Sequence, residues 1–63
     1  MQVGDKVRYT GNDATNGYYG KITSIHNNKY TIDLTHNADC EPLDFCQRLF
    51  DRSASELELG ECP

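Results

Sequence analysis

Val3-Gly4-Asp5-Lys6-Val7-Arg8-Tyr9, followed by Gly11, Gly17 and the run Gly20-Lys21-Ile22-Thr23-Ser24-Ile25, is the stretch that decides the fold. A Gly-Asp turn leads into an alternating segment in which Val7 and Tyr9 share one face and Lys6 and Arg8 the other. Thr10 to Tyr18 reads as a loop, because the Gly and Asn of Gly11-Asn12-Asp13 and Asn16-Gly17 accept positive φ at low cost. Tyr19 to His26 is then a second strand. Its Ile22 and Ile25 have opposite parity, so a bulge or sharp bend near Thr23-Ser24 is needed to bring both onto one face.

Downstream, Asn27-Asn28 closes a tight hairpin into Lys29-Tyr30-Thr31-Ile32-Asp33-Leu34, where Tyr30, Ile32 and Leu34 face a core and Lys29, Thr31 and Asp33 face water. Thr35 to Pro42 is polar and reads as a long loop. Leu43, Phe45, Leu49 and Phe50 supply the next apolar segment. A strand is the preferred reading there, while the Leu49-Phe50 adjacency also fits a short helical stretch. Ser53-Ala54-Ser55-Glu56 has the spacing of a capping box with room for one turn. Leu57-Glu58-Leu59 alternates again as a short closing strand. The expected core is Val7, Ile22, Ile25, Tyr30, Ile32, Leu34, Phe45 and Leu57.

A chain of 63 residues makes one small domain that buries only about 60% of the surface its unfolded form exposes. No apolar run approaches the ~20 residues of a membrane span. Gln2-Val3-Gly4-Asp5 after Met1 lacks the charged-then-apolar order of a signal peptide, so a cytoplasmic setting is expected. The three cysteines, Cys40, Cys46 and Cys62, are an odd number in the second half of the chain, which suits a reducing compartment. Thiolate and imidazole are zinc's usual ligands, and His36, Cys40 and Cys46, with His26 or Cys62, are the residues that could serve. Their spacing lacks a Cys-x-x-Cys pair, so no metal and no cofactor are expected. Cys46 reads as a small, partly buried apolar residue and Cys62 as a free tail thiol, with a Cys40–Cys46 bridge left open.

Strand, long loop, bent strand, hairpin, strand, single helical turn and short closing strand is the order of SH3-like barrels. Gly4-Asp5-x-Val7 with Gly11, Gly17, Gly20-Lys21-Ile22 and Ile25 resembles the KOW motif of ribosomal and transcription-elongation proteins, over roughly the first half of the chain. The resemblance implies an all-β, five-stranded SH3-like barrel of KOW or Tudor type over residues 1–60, with a frayed tail at 61–63. Peptide-binding SH3 domains dock proline-rich ligands on an aromatic groove that includes tryptophan, and this chain has none. No nucleophile with a base and no phosphate cradle is evident, so an enzyme is not expected and no small-molecule substrate is inferred.

Charge narrows the partners. Residues 1–37 carry +1 and residues 38–63 carry −5, within a net −4. An acidic barrel suits a protein partner of basic or nucleic-acid-binding character, with Asp44, Glu56 and Glu58 among the acids that could steer the encounter. The alternative is the KOW-like one, a nucleic-acid-binding domain associated with transcription or translation. It requires Lys6, Arg8 and Lys21 to cluster beside Tyr18 and Tyr19, so that phosphate contacts lie next to stacking rings. Neighbouring strand residues point to opposite faces, so one of the two tyrosines should be exposed. The exposed first loop, with Asn12 and Asp13, completes the expected binding surface.

Overall fold

The chain forms one five-stranded antiparallel sheet in the order β4-β3-β2-β1-β5, with a single 3-10 turn and no α-helix among the described residues. The computed structural model describes residues 1–62. β1 is Lys6–Tyr9, β2 Tyr19–His26, β3 Lys29–His36, β4 Pro42–Arg52 and β5 Leu57–Leu59, with the 3-10 turn at Ala54–Glu56. β5 returns to pair with β1, and β4 and β5 are the two edges of the sheet. None of its helical residues makes a helix long and apolar enough to cross a membrane.

Local chemistry explains most of these elements. At the N-terminus the Gly-Asp turn forms as read: Gly4 takes φ 96° and its N–H donates to the Ile22 carbonyl at 2.9 Å, which fastens the turn to β2. The β2–β3 hairpin closes through Asn27 and Asn28 at φ 50° and 62°, the left-handed pair that a two-residue turn demands. Gly20 of β2 lies close against the β3 backbone. A Cβ there would stand 2.4 Å from the Asp33 carbonyl oxygen, so only glycine fits this part of the register.

Val7, Tyr9, Ile22, Ile32, Leu34, Leu49 and Leu57 form the buried core, with Tyr18, Tyr30 and Leu43 packed against it. Its centre is one cross-strand row, Ile22–Ile32–Leu49, spanning β2, β3 and β4. The register shifts between Ile22 and Ser24, so the bulge expected at Thr23 is present. Ile25 does pair with Tyr30, but it lies out on the hairpin beyond the core and is 38% exposed, not buried as the pattern suggested.

β4 departs furthest from the sequence reading. Leu49-Phe50 belongs to a strand, yet that strand is irregular twice. His36 pairs with Pro42 and Leu34 with Gln47, so most of Leu43–Cys46 is excess chain on one side of the ladder. This bulge turns Leu43 inward and leaves Phe45, an expected core residue, 63% exposed. Between Leu49 and Arg52 the register slips again, with Asp51 at φ 55°, and Phe50 stands out at 61% exposure. The expected loop from Thr35 to Pro42 is shorter too, because β3 runs on to His36. Asn37 organises what remains: its Oδ1 accepts from the N–H groups of Asp39 and Glu41 at 2.9 and 3.0 Å.

The cysteine reading is corrected as well. Cys40 is disulfide-bonded to Cys62, and Cys46 is free and exposed rather than partly buried. Gly60 N–H donates to the Lys6 carbonyl at 3.0 Å, and Cys62 is tied to the β3–β4 loop. The last residue of the expected frayed tail, Pro63, lies outside the described residues.

Candidate functional site

The alternation of β1 and β2 brings Lys6, Arg8, Tyr19 and Lys21 onto the outer face of the sheet, because Lys6 pairs with Lys21 and Arg8 with Tyr19. Of the two tyrosines that the nucleic-acid alternative requires beside these cations, Tyr19 shares their face and is half-buried. Tyr18 is half-buried and packs against the core. Two of the three cations are neutralised on the same face. Lys6 Nζ lies 2.9 Å from Glu61 and Arg8 Nη1 3.0 Å from Glu58. Farther along the same cross-strand row, Arg48 of β4 grips Asp33 of β3 through Nε and Nη2, the second bond being 3.1 Å long. That guanidinium holds the Asp33 carboxyl below its ordinary range. Pairs this exposed contribute little to stability, but they decide which charges remain open to a partner.

Asp13 and Glu56 turn out to organise structure. The buried Tyr9 hydroxyl donates to Asp13 Oδ2 at 2.9 Å and lies 3.4 Å from Glu56, while Arg52 Nη1 donates to it at 3.2 Å. Arg52 also stacks over the Tyr9 ring, 5.6 Å from its centroid, within cation–π range. Asp13 additionally accepts from the Thr15 hydroxyl and N–H, and these bonds with the Tyr9 one lower its pKa. Glu56 accepts from the Ser53 N–H at 3.0 Å, the glutamate half of the expected capping box, and this bond chiefly lowers its pKa. Burial, reinforced by the bond to Asp13, raises the pKa of Tyr9. The cluster staples the first loop to the 3-10 turn. The sequence placed Tyr9 only on the Val7 face of the first strand and left it out of the expected core; its role is not legible there, since its partners Asp13 and Glu56 are 4 and 47 residues away.

The remaining expected site residues lie apart. Asn12 is exposed at the tip of the first loop, Glu58 is held by Arg8, and Asp44 stands in the β4 bulge beside Phe45. The face that sequence reasoning missed is that of β4. Phe45 and Phe50 are exposed along an edge strand, and Phe50, Cys46, Gln47 and Arg48 line an open groove of about 500 Å³ with Asp33 and Thr35 of β3. Asp39, Glu41, Asp44 and Asp51 form no ion pair among the described residues. Of the groups considered as zinc ligands, His36, Cys40 and Cys62 line one depression, with the two cysteines bonded to each other. No cluster of three His, Cys, Asp or Glu residues in metal-binding reach occurs among the described residues, and Cys40 is committed to Cys62. Comparison of the chain with protein-family models, curated proteins and solved structures finds no match.

Proposed function

We propose that this protein is a non-catalytic binding module that docks a protein partner with a basic surface along β4. The observation that carries the proposal is the combination of Phe45 and Phe50, both more than 60% exposed on an edge strand, with acids that no internal cation neutralises. An edge strand offers unpaired backbone groups to an incoming segment. Large exposed aromatics serve as apolar anchors, and the acids Asp44 and Asp51 steer a basic partner. The order of elements, with a 3-10 turn ahead of a short strand that returns to β1, supports an SH3-like barrel of KOW or Tudor type as the family reading. Catalysis is no part of the proposal, because Tyr9, Asp13, Arg52 and Glu56 already serve a structural purpose.

The KOW-like nucleic-acid reading rests on Lys6, Arg8 and Lys21 beside Tyr19. It is the weaker of the two, since Glu61 and Glu58 already occupy Lys6 and Arg8 and a net charge of −4 repels a polyanion. The Cys40–Cys62 bridge bears on location. Disulfides persist in oxidising surroundings, which argues against the reducing, cytoplasmic setting that the odd cysteine count suggests.

The test is an affinity capture, with and without nuclease treatment, comparing the natural chain with a Phe45→Ser/Phe50→Ser variant and a Lys6→Gln/Arg8→Gln/Lys21→Gln variant. A partner retained after nuclease, lost from the phenylalanine variant and kept by the cation variant is the expected result. Loss of every partner on nuclease treatment, together with oligonucleotide binding abolished in the cation variant, refutes the proposal in favour of nucleic acid.

A further inference from the structure

Between Lys6 of β1, Tyr19 and Lys21 of β2, and Thr35 and His36 of β3 lies a depression of about 360 Å³, walled on the remaining side by Glu61 and the Cys40–Cys62 bridge. Its volume is that of a small-molecule site. Lys6 and Lys21 stand directly opposite each other across β1 and β2, an arrangement that is unfavourable for like charges. The surroundings relieve only one of them. Glu61 reaches Lys6 at 2.9 Å, whereas Asp33, which lies opposite Lys21 on β3, is occupied by Arg48. Lys21 has no ion-pair partner among the described residues. The other polar groups are only partly engaged: His36 Nδ1 is bonded to the Thr35 hydroxyl at 2.9 Å, and the Tyr19 phenol has no hydrogen bond among the described residues. Tyr19 and the disulfide supply apolar walls.

We propose that this depression binds a small ligand carrying one oxyanion group on a flat apolar body, with the oxyanion at Lys21 and the body against Tyr19. Lys21 supplies the charge, because it is the one lysine of the depression that no carboxylate holds among the described residues. A polymer is disfavoured because Glu61 and the bridge close one side and the chain's net charge of −4 repels a polyanion. The site shares Thr35 with the β4 groove but none of Phe45, Phe50, Asp44 or Asp51, so either assignment can fail without the other.

The test is a titration at low ionic strength, following backbone amide chemical shifts, with inorganic phosphate, phenyl phosphate and benzoate as separate probes. Saturable shifts centred on Lys6, Tyr19 and Lys21 are expected, with phenyl phosphate binding at least tenfold more tightly than inorganic phosphate. The ratio of phenyl phosphate to benzoate affinity tells whether the oxyanion is a phosphate or a carboxylate. Lys21→Gln should weaken phenyl phosphate at least tenfold, Lys21→Arg should retain it, and Lys29→Gln, at an exposed cation of the hairpin, should leave it unchanged. No saturation with any probe, or equal losses in Lys21→Gln and Lys29→Gln, overturns the proposal.

Discussion

Ile32 and Phe45 both look like core residues in the sequence, and substituting each by alanine separates the architecture from the pattern. Ile32 is fully buried at the centre of the Ile22–Ile32–Leu49 row. Truncation to alanine removes Cγ1, Cγ2 and Cδ1, worth about 2.4 kcal/mol at ~0.8 kcal/mol per carbon. The cavity left between β2 and β4 adds to this, because strands held by their ladders close only partly around it, and the total comes to about 3–4 kcal/mol. A chain of 63 residues has roughly 3–9 kcal/mol of stability altogether. Ile32→Ala should therefore lower the melting temperature by roughly 12–30 °C and leave a substantial unfolded population near room temperature. Phe45→Ala, on the exposed bulge, should change stability by no more than about 0.5 kcal/mol. Thermal and urea unfolding followed by circular dichroism measure both. A Phe45→Ala protein destabilised as strongly as Ile32→Ala, or an Ile32→Ala protein melting with the natural chain, would refute the placement of these side chains and the β4 bulge with it.

Gly20→Ala should destabilise by about 1–3 kcal/mol through overpacking against the β3 backbone, while Gly60→Ala, where a Cβ meets nothing within 4 Å, should be silent in the same melts. Reducing the Cys40–Cys62 bridge, which closes a loop of 22 residues, should cost about 3 kcal/mol on loop-entropy grounds; equal melting temperatures with and without a dithiol reductant, once thiol titration has verified complete reduction, would contradict it. Acid and alkali act through opposite signs. Asp13, Asp33 and Glu56 have lowered pKa values when folded, so their contribution is present above the ordinary carboxylate range and is lost as pH falls below about 4. Tyr9 has a raised pKa, so its contribution is complete below about pH 10 and is lost as pH rises beyond it; in Tyr9→Phe the alkaline loss assigned to this group should disappear from a pH series of melting curves.

Several parts of this molecule are determined within a few consecutive residues. The Gly4-Asp5 turn, the Asn27-Asn28 hairpin, the alternation of Lys29 to Leu34 and the Ser53–Glu56 cap each depend on backbone freedom or on a side chain reaching its near neighbours. Such features are legible in sequence because no distant partner is needed to define them. The clustering of Lys6, Arg8 and Lys21 was legible for a related reason, since strand parity assigns a face once the strands are known.

Only the tertiary structure decided the rest. Bulges insert chain on one side of a ladder and exchange inside for outside, so Phe45 faces solvent and Leu49 the core although both belong to one strand. Parity alone cannot locate such a shift, because it is defined by pairing with β3. The disulfide between Cys40 and Cys62, the capture of Lys6 by Glu61 across 55 positions and the convergence of Asp13, Arg52 and Glu56 on Tyr9 are likewise set by how β5 and the final residues return to β1. Sequence determined the strands and the sign of each charge. The fold determined which charges cancel, and therefore which faces remain open, because ion pairing depends on separation in space and not on separation along the chain.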